Sequence, residues 1–577
     1  MNEWGIKKLD RINDCIKIAT MKDLKIKSIG SICCFLLFGS LLAQEVNKSN
    51  YANYNSAFLL RFDEGKAIQK SNEFHTGIRP YRSNELMQYI DPDSVIAHYA
   101  DINDLKYWKR RLLLDPLYIY QPRNHDVQIV VNPLFDFSFG SDDLSDNGTF
   151  TNTRGVQVLG QLGDNVWFYS DLTETQTRVP QYIHNWADSL DRVLPGMGQA
   201  TSIDHEGEYD YGFSTAWVQY KTKKFFTFEL GTGKHFIGEG YRSMLLSDVA
   251  FNYPYFKIRT DFGRVQYVNI YSEHRDLHEE ETDALHRRKY NVTHYLSMNL
   301  GKKWNVGFFE TVTWDGQTDD RGVELGFLNP VIFLRTVERV MGSYSGNEML
   351  GLNLSYKMTD QWKFYGQFIL DEFKGKELFS SSGWWGNKYG LQLGTKAYDA
   401  FGVDQLNLLA EFNMARPFMY SHFNGPESDG DIGEGGLTNY AHNNQALAHP
   451  LGANFIEFLT RAKYTHKRLA FMAEFMWAKK GFDIIGEGSY GGDIYRDYED
   501  RVSNFNNDLL QGNETTITYI EGKASYLINP QTNFIAELGI AMRNQTPTIL
   551  NAGIEERKDV LLSFGLKTDL FPRYYDF

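Results

Sequence analysis

The chain has 577 residues, 42% of them hydrophobic and 15% aromatic, with 50 Gly, only 15 Pro and a net charge of -14; its mean hydropathy is -0.43. That polarity excludes a bundle of membrane helices, each of which needs about 20 consecutive apolar residues. The acidic balance argues against nucleic acid and anionic surfaces as partners. Aromatics on a polar average suit a barrel that is apolar on one face only, or a secreted sugar-binding β protein.

Lys22, Lys25 and Lys27 precede an apolar run from Ile29 to Ala43, which ends in Gly39-Ser40-Leu41-Leu42-Ala43 before Gln44. A charged stretch, a short apolar core and small residues before a cleavage point predict a signal peptide over 1–43, with Met21 as the start. The run is too short for a spanning helix. Cys15, Cys33 and Cys34 all precede the predicted cleavage point, so the exported chain would hold no disulfide, thiolate metal site or Cys nucleophile. Losing residues 1–43 removes seven Lys/Arg and four Asp/Glu and leaves a net charge of -17.

Residues 44–126 do not alternate in polarity. Stretches such as 84–114 read as short helices broken at Pro92, and predict a helical plug. From about residue 127 the pattern changes to period-two alternation over segments of roughly ten residues, the mark of half-buried strands. Leu350, Leu352, Leu354, Tyr356 and Met358 oppose Gly351, Asn353, Ser355 and Lys357. Trp362, Phe364, Phe368 and Leu370 alternate with Lys363, Gln367 and Asp371, and Phe534, Ala536, Leu538 and Ile540 with Asn533, Glu537 and Gly539.

Short turns are predicted at Gly163-Asp164, Thr222-Lys223-Lys224, Gly301-Lys302-Lys303, Thr359-Asp360, Ala400-Phe401-Gly402, His466-Lys467 and Asn529-Pro530-Gln531. They alternate with long polar segments at 173–210, 236–254, 274–289, 315–347, 374–387, 415–455, 479–514 and 545–556. Short turns at one end and long loops at the other are the habit of outer-membrane barrels. Counting from 127–139 to 557–571, with a weakly alternating hairpin at 255–273 turning at Phe262-Gly263, predicts an all-β transmembrane antiparallel barrel of about 18 strands over 127–577. The aromatic Phe577 is read as ending the last strand. Loops 179–197 and 330–342 read as helical and able to fold into the mouth.

Three segments carry a resemblance: GTGKHFIGEGYRSMLLSDVAFNYPYFKIRTD at 231–261, FLNPVIFLRTVERVMGSYSGN at 327–347 and HNNQALAHPLGAN at 442–454. In that order they resemble the Wzi capsule-assembly family, particularly its Bacteroidetes branch, which includes the RemB gliding-motility proteins. The resemblance runs from about residue 120 to the C-terminus. It implies an outer-membrane barrel occluded by a periplasmic helical bundle and inward-folded loops. It also implies a lectin that holds capsular polysaccharide at the cell surface without catalysis, or a part in surface adhesion and gliding.

Sugar binding needs aromatic faces for C–H surfaces and polar neighbours for hydroxyls, here on external loops. Trp384 and Trp385, flanked by serines and Asn387, fit that need or an interfacial aromatic girdle. Lys234, His235, Glu239, Tyr241 and Arg242 are candidates too, or else they hydrogen-bond their loop to the lumen. Arg335, beside Asn329, Glu338 and Arg339, forms a similar set, although Arg335 and Glu338 could simply pair with each other. No metal or cofactor is expected. The helical spacing of His274 and His278 lies in a highly charged segment, and the acids at 427–434 lack a calcium-loop pattern. Ser243, Ser247, Asp248 and His235 lack a nucleophile elbow, so no enzyme is expected. Lipid and exported polysaccharide are the expected partners, with a solute pore as the remaining alternative.

Overall fold

The computed structural model describes residues 73–82, 85, 109, 113, 116–120, 122 and 126–577, apart from 144, 204–206, 278–287, 316–327, 334–345, 373, 379–381, 423–437, 531, 551 and 569–572. The predicted signal peptide therefore lies outside the described residues, as does most of the predicted plug.

Eighteen antiparallel strands close into a barrel. In chain order they are β1 Val127–Asp142, β2 Ser145–Leu162, β3 Val166–Arg178, β4 Glu208–Lys221, β5 Phe226–Gly233 and β6 Tyr253–Phe262. Then come β7 Val265–Arg275, β8 Arg288–Leu300, β9 Trp304–Asp315, β10 Asn347–Lys357, β11 Trp362–Leu370 and β12 Tyr389–Ala397. The last six are β13 Leu406–Ala415, β14 Phe455–His466, β15 Leu469–Phe482, β16 Asn513–Asn529, β17 Phe534–Pro547 and β18 Arg557–Lys567. The wall shuts where β18 pairs with β1, from Leu561 opposite Asp142 to Lys567 opposite Asp136. Closure leaves no long strand edge unpaired. The weakly alternating hairpin at 255–273 is a regular member of the wall, with eight residue pairs from Tyr255–Ser272 to Phe262–Val265.

One end of the barrel carries tight turns and the other long loops. Gly163, Gly263, Gly301 and Lys467 adopt positive φ in the tight turns, the backbone that two- and three-residue hairpins demand. The asymmetry has one exception. At the long-loop end only two residues of sequence, 143 and 144, separate β1 from β2.

Burial is reversed relative to a soluble sheet. Asn353 and Gln392 are fully buried, while Leu230, Leu393 and Leu538 are 66%, 55% and 59% exposed on the outside. At the tight-turn end the outer face carries a band of exposed rings, Phe225, Phe262, Trp304 and Phe401. Phe225 and Phe262 lie 5.7 Å apart, and Trp304 and Tyr356 lie 4.5 Å apart.

The apolar core sits inside the barrel, towards the long loops. The helix α1, Gln181–Ser189, turns Tyr182, Ile183 and Ala187 inward, as the 179–197 reading anticipated. These pack with Met244 and Leu245 of the β5–β6 loop, Met419, Tyr420 and Leu447 of the β13–β14 loop, and Phe309 and Met349 of the wall. Loops that bury their own apolar side chains in the lumen need no lid of another kind.

Two further segments complete the filling, and the second differs from expectation. Residues 73–82 are extended, and Ile78–Arg79 pairs antiparallel with Phe236–Ile237 of the β5–β6 loop. Arg82 reaches Glu229 of β5 at 2.7 Å, and Lys257 of β6 reaches the same carboxylate at 2.7 Å. Arg82 also lies 4.0 Å from the Trp217 ring. At the other terminus β18 stops at Lys567, and Phe577 does not end it. Residues 573–577 turn back into the lumen instead. Tyr182 donates to Tyr575 O at 2.9 Å, Arg543 donates to Phe577 O at 2.9 Å, and the Phe577 ring lies 5.3 Å from Trp186.

Candidate functional site

The five predicted residues of the β5–β6 loop face inward and are engaged with the barrel's own groups. Lys234 Nζ donates to Gly196 O at 2.7 Å, and burial lowers its pKa to about 8. His235 Nδ1 lies 3.2 Å from the Tyr253 hydroxyl, and burial holds the ring neutral, far below the usual histidine range. Burial opposes charge on Glu239, yet Lys363 at 2.6 Å and Thr76 at 2.7 Å outweigh it and hold the carboxylate at about 2. Tyr241 N donates to Glu411, and its ring lies 5.4 Å from Tyr574 of the tail.

Arg242, like His235, is 1% exposed. Its guanidinium meets Glu457 of β14 at 3.1 Å and Asp576 of the tail at 3.0 Å, and it also donates to Asp576 O at 2.6 Å. Burial works against its charge, but the two carboxylates raise its pKa well above the ordinary arginine value. These contacts tie the loop to the wall and to the tail. Arg335 lies outside the described residues, with Glu338 and Arg339; Asn329 Oδ1 accepts from Val331 N at 3.1 Å.

Trp384 and Trp385 are half-buried at the long-loop end, where three loops converge. Ser382 O accepts from Asn506 N at 2.9 Å, Gly383 O from Asn507 N at 2.9 Å, and Trp385 N donates to Asn504 O at 3.1 Å, so the β11–β12 and β15–β16 loops bond through their main chains. Gly383 is required there: its φ is +60°, and a Cβ would stand 2.8 Å from Asn506 Cα. The two indoles are 5.8 Å apart. Trp385 lies 4.5 Å from Tyr498 and 6.0 Å from Phe418, while His422 lies 5.8 Å from Tyr498.

Cations cap the group, Arg501 at 4.4 Å over Trp385 and Lys374 at 4.3 Å over Trp384. Beneath it the buried Lys388 approaches Tyr498 at 4.7 Å and is anchored by Glu372 at 3.3 Å. The pair thus belongs to a loop-borne aromatic group and not to the tight-turn band. Rings with adjacent hydroxyls, amides and cations are what a glycan needs. Sequence reasoning missed Tyr498, Arg501, His422 and Lys374. No local motif marks them; only the fold brings Tyr498 to Trp385.

A second feature opens among β12–β18 and β1, an internal cavity of about 540 Å³. Three ion pairs line it: Arg461 with Glu474 at 2.7 Å, Lys523 with Glu521 at 2.7 Å, and Lys567 with Glu537 at 2.6 Å. Tyr574 and Asp576 of the tail form part of its lining.

The other candidates are placed as follows. His274 packs 5.0 Å from His442 and bonds Ser272 at 2.9 Å, whereas His278 lies outside the described residues. The acidic run at 427–434 also lies outside them. Ser243 Oγ donates to Ile237 O, and Asp248 accepts from Tyr574. Among the described residues no metal-binding group of three or more ligands is found.

No family model matches the chain, and no curated protein matches it in sequence. Among solved structures it is similar to Wzi of Escherichia coli, an outer membrane protein involved in group 1 capsule assembly and a carbohydrate-binding β-barrel. The TM-score is 0.51 at 13% identity, over 90% of this chain and 99% of that one. It is more distantly similar to OprD of Pseudomonas aeruginosa, with a TM-score of 0.40 at 11% identity over 78% and 96% of the two chains. OpdK of the same organism gives 0.40 at 8% identity over 77% and 98%.

Proposed function

We propose that this protein is a non-enzymatic outer-membrane barrel whose external loops hold an exported polysaccharide at the cell surface. The observation that carries the proposal is the aromatic group of Trp384, Trp385 and Tyr498, set on converging long loops beside Lys374 and Arg501. The exposed apolar outer face and the ring band at the tight-turn end support the membrane placement, because lipid is the solvent that such a surface suits. The likeness to a barrel described as carbohydrate-binding supports the ligand class. The gliding and adhesion alternative, including the Bacteroidetes branch, rests on sequence resemblance alone.

The test is polysaccharide binding to purified protein in detergent or nanodiscs, using glycan from the producing strain. Trp384→Ala with Trp385→Ala should weaken binding about tenfold, a loss of roughly 1.4 kcal/mol. Binding unchanged by the double substitution, or absent from the unaltered protein, would remove the site from consideration.

A pore reading makes the opposite forecast in planar bilayers. With residues 73–82, the loop core and the tail inside the lumen, the unaltered barrel should show no steady open-channel steps. Steps like those of a general porin would favour transport over retention.

A further inference from the structure

A region of the outer wall across β7, β8 and β9 does not suit lipid. Asn269, His294 and Glu310 stand side by side across β7, β8 and β9, Asn269 opposite His294 and His294 opposite Glu310. Their parity is outward: the next residue in the row is Leu350, 36% exposed on the apolar face, while the neighbouring Thr293 and Thr311 point into the barrel. Glu310 stands between Trp304 at the tight-turn end of β9 and Trp314 at the long-loop end, six residues from one and four from the other. At about 3.3 Å per residue and a tilt of 35–45°, that places it near the middle of the apolar band.

A carboxyl and an imidazole at that depth cannot face hydrocarbon unsatisfied. All three side chains are no more than 3% exposed, although they lie on the outside of the wall. The described piece of the β9–β10 loop, residues 328–333, runs across them. Phe333 N donates to Glu310 at 3.0 Å, Tyr271 donates to Leu328 O at 3.2 Å, and Tyr267 donates to Pro330 O. His294 bonds Asn269 at 2.6 Å, and Phe333 meets Phe308 edge-on at 6.1 Å. On its far side the segment exposes Val331 and Phe333, at 49% and 48%.

We propose that residues 328–333 form an intramembrane strap: a loop segment that descends the outside of the barrel, docks on the polar row Asn269–His294–Glu310 and presents Val331 and Phe333 to lipid acyl chains. The wall at β7–β9 is then a protein-binding surface within the membrane, and its occupant is this chain's own strap. The proposal rests on the membrane reading given above.

Single cysteines separate the two. With Cys15, Cys33 and Cys34 replaced by Ser, the full chain carries Val331→Cys, Leu538→Cys on the apolar outer face, or Ile485→Cys on a long loop where Ile485 is 77% exposed. Outer membranes are treated with a sulfonated, water-soluble maleimide. The Ile485→Cys protein should label rapidly, and the Val331→Cys and Leu538→Cys proteins at least about tenfold more slowly. If Val331→Cys labels like Ile485→Cys while Leu538→Cys stays protected, the strap is refuted and the membrane reading survives. If Leu538→Cys labels rapidly, both fail. Adding His294→Ala and Glu310→Ala should free the strap, so that Val331→Cys becomes reactive while Leu538→Cys remains protected and reports an intact barrel. Glu310→Gln keeps an acceptor for Phe333 N and should preserve protection; persistent protection in the alanine variant would refute the polar row as the dock.

Discussion

Replacing Arg242 by Ala should lower the unfolding free energy of the barrel by about 3–5 kcal/mol, the range for removing one partner from a buried ion pair. The site has no solvent to compensate, since the Arg242 and Glu457 side chains are fully buried and Asp576 is nearly so. Without the guanidinium, two carboxylates are left without their shared cation. Glu457 keeps His449 at 2.9 Å and Asn413 at 2.8 Å, whereas Asp576 loses both its side-chain and its main-chain bond to Arg242. The tail should therefore come loose first. A denaturant titration of the reconstituted protein by tryptophan fluorescence measures the loss, and proteolysis at 573–577 reports release of the tail. Arg242→Lys should fall between, because one ammonium cannot serve the whole guanidinium fork. A change below 1 kcal/mol on Arg242→Ala would mean that the tail is not held as the geometry indicates.

Acidification from pH 7.5 to pH 5 should destabilise the filled barrel by about 4 kcal/mol through His75 and His442 alone. Burial is the largest cause at both, lowering His75 to about 4 and His442 to about 3 from an ordinary 6.5. At His75, Asp261 and Glu239 pull upward and Arg259 downward; at His442, the bond to Asn252 O pulls upward while Lys289, Arg275 and Lys234 push downward. The sign follows from proton counts. Between the folded value and 6.5 the unfolded chain is protonated and the folded one is not, so stability is intact above pH 6.5 and declines as pH falls. A pH of 5 lies 1.5 units below the unfolded value of each group and above its folded value, which is worth about 2 kcal/mol per group at 1.36 kcal/mol per unit. Unfolding midpoints at the two pH values check this. His442→Gln should flatten the dependence, and a profile independent of pH between 7.5 and 5 would contradict the burial of these rings.

The wall was readable because a two-sided environment imposes a two-residue period. Leu350 through Met358 and Trp362 through Leu370 declare their faces without any knowledge of their neighbours, and Gly163, Gly263 and Gly301 mark the turns. The contents of the lumen were not readable in that way. Arg242 meets Asp576 at a separation of 334 residues, and nothing local to either marks the other as its partner. The helical plug read over 44–126 lies mostly outside the described residues, and nothing local announces that residues 73–82 lie extended because Phe236–Ile237 offers them a strand to pair with. The tail misled for a related reason: Phe577 is apolar enough for either side of the wall, and the ring of Trp186 with Arg543 draws it inside. For the aromatic site the sequence supplied the Trp pair, and the fold supplied Tyr498, Arg501 and Lys374.

The re-entrant tail also ties closure of the wall to the filling of its interior. Residues 573–577 follow the strand that shuts the wall, so the stopper and the last staple of the cylinder are one continuous piece of chain. A nascent barrel still open at its seam has no Asp576 beneath Arg242, and its loops have no Phe577 to rest on. The chain that completes the wall at Leu561–Lys567 thereby also supplies the groups that lie against Arg242 and Trp186.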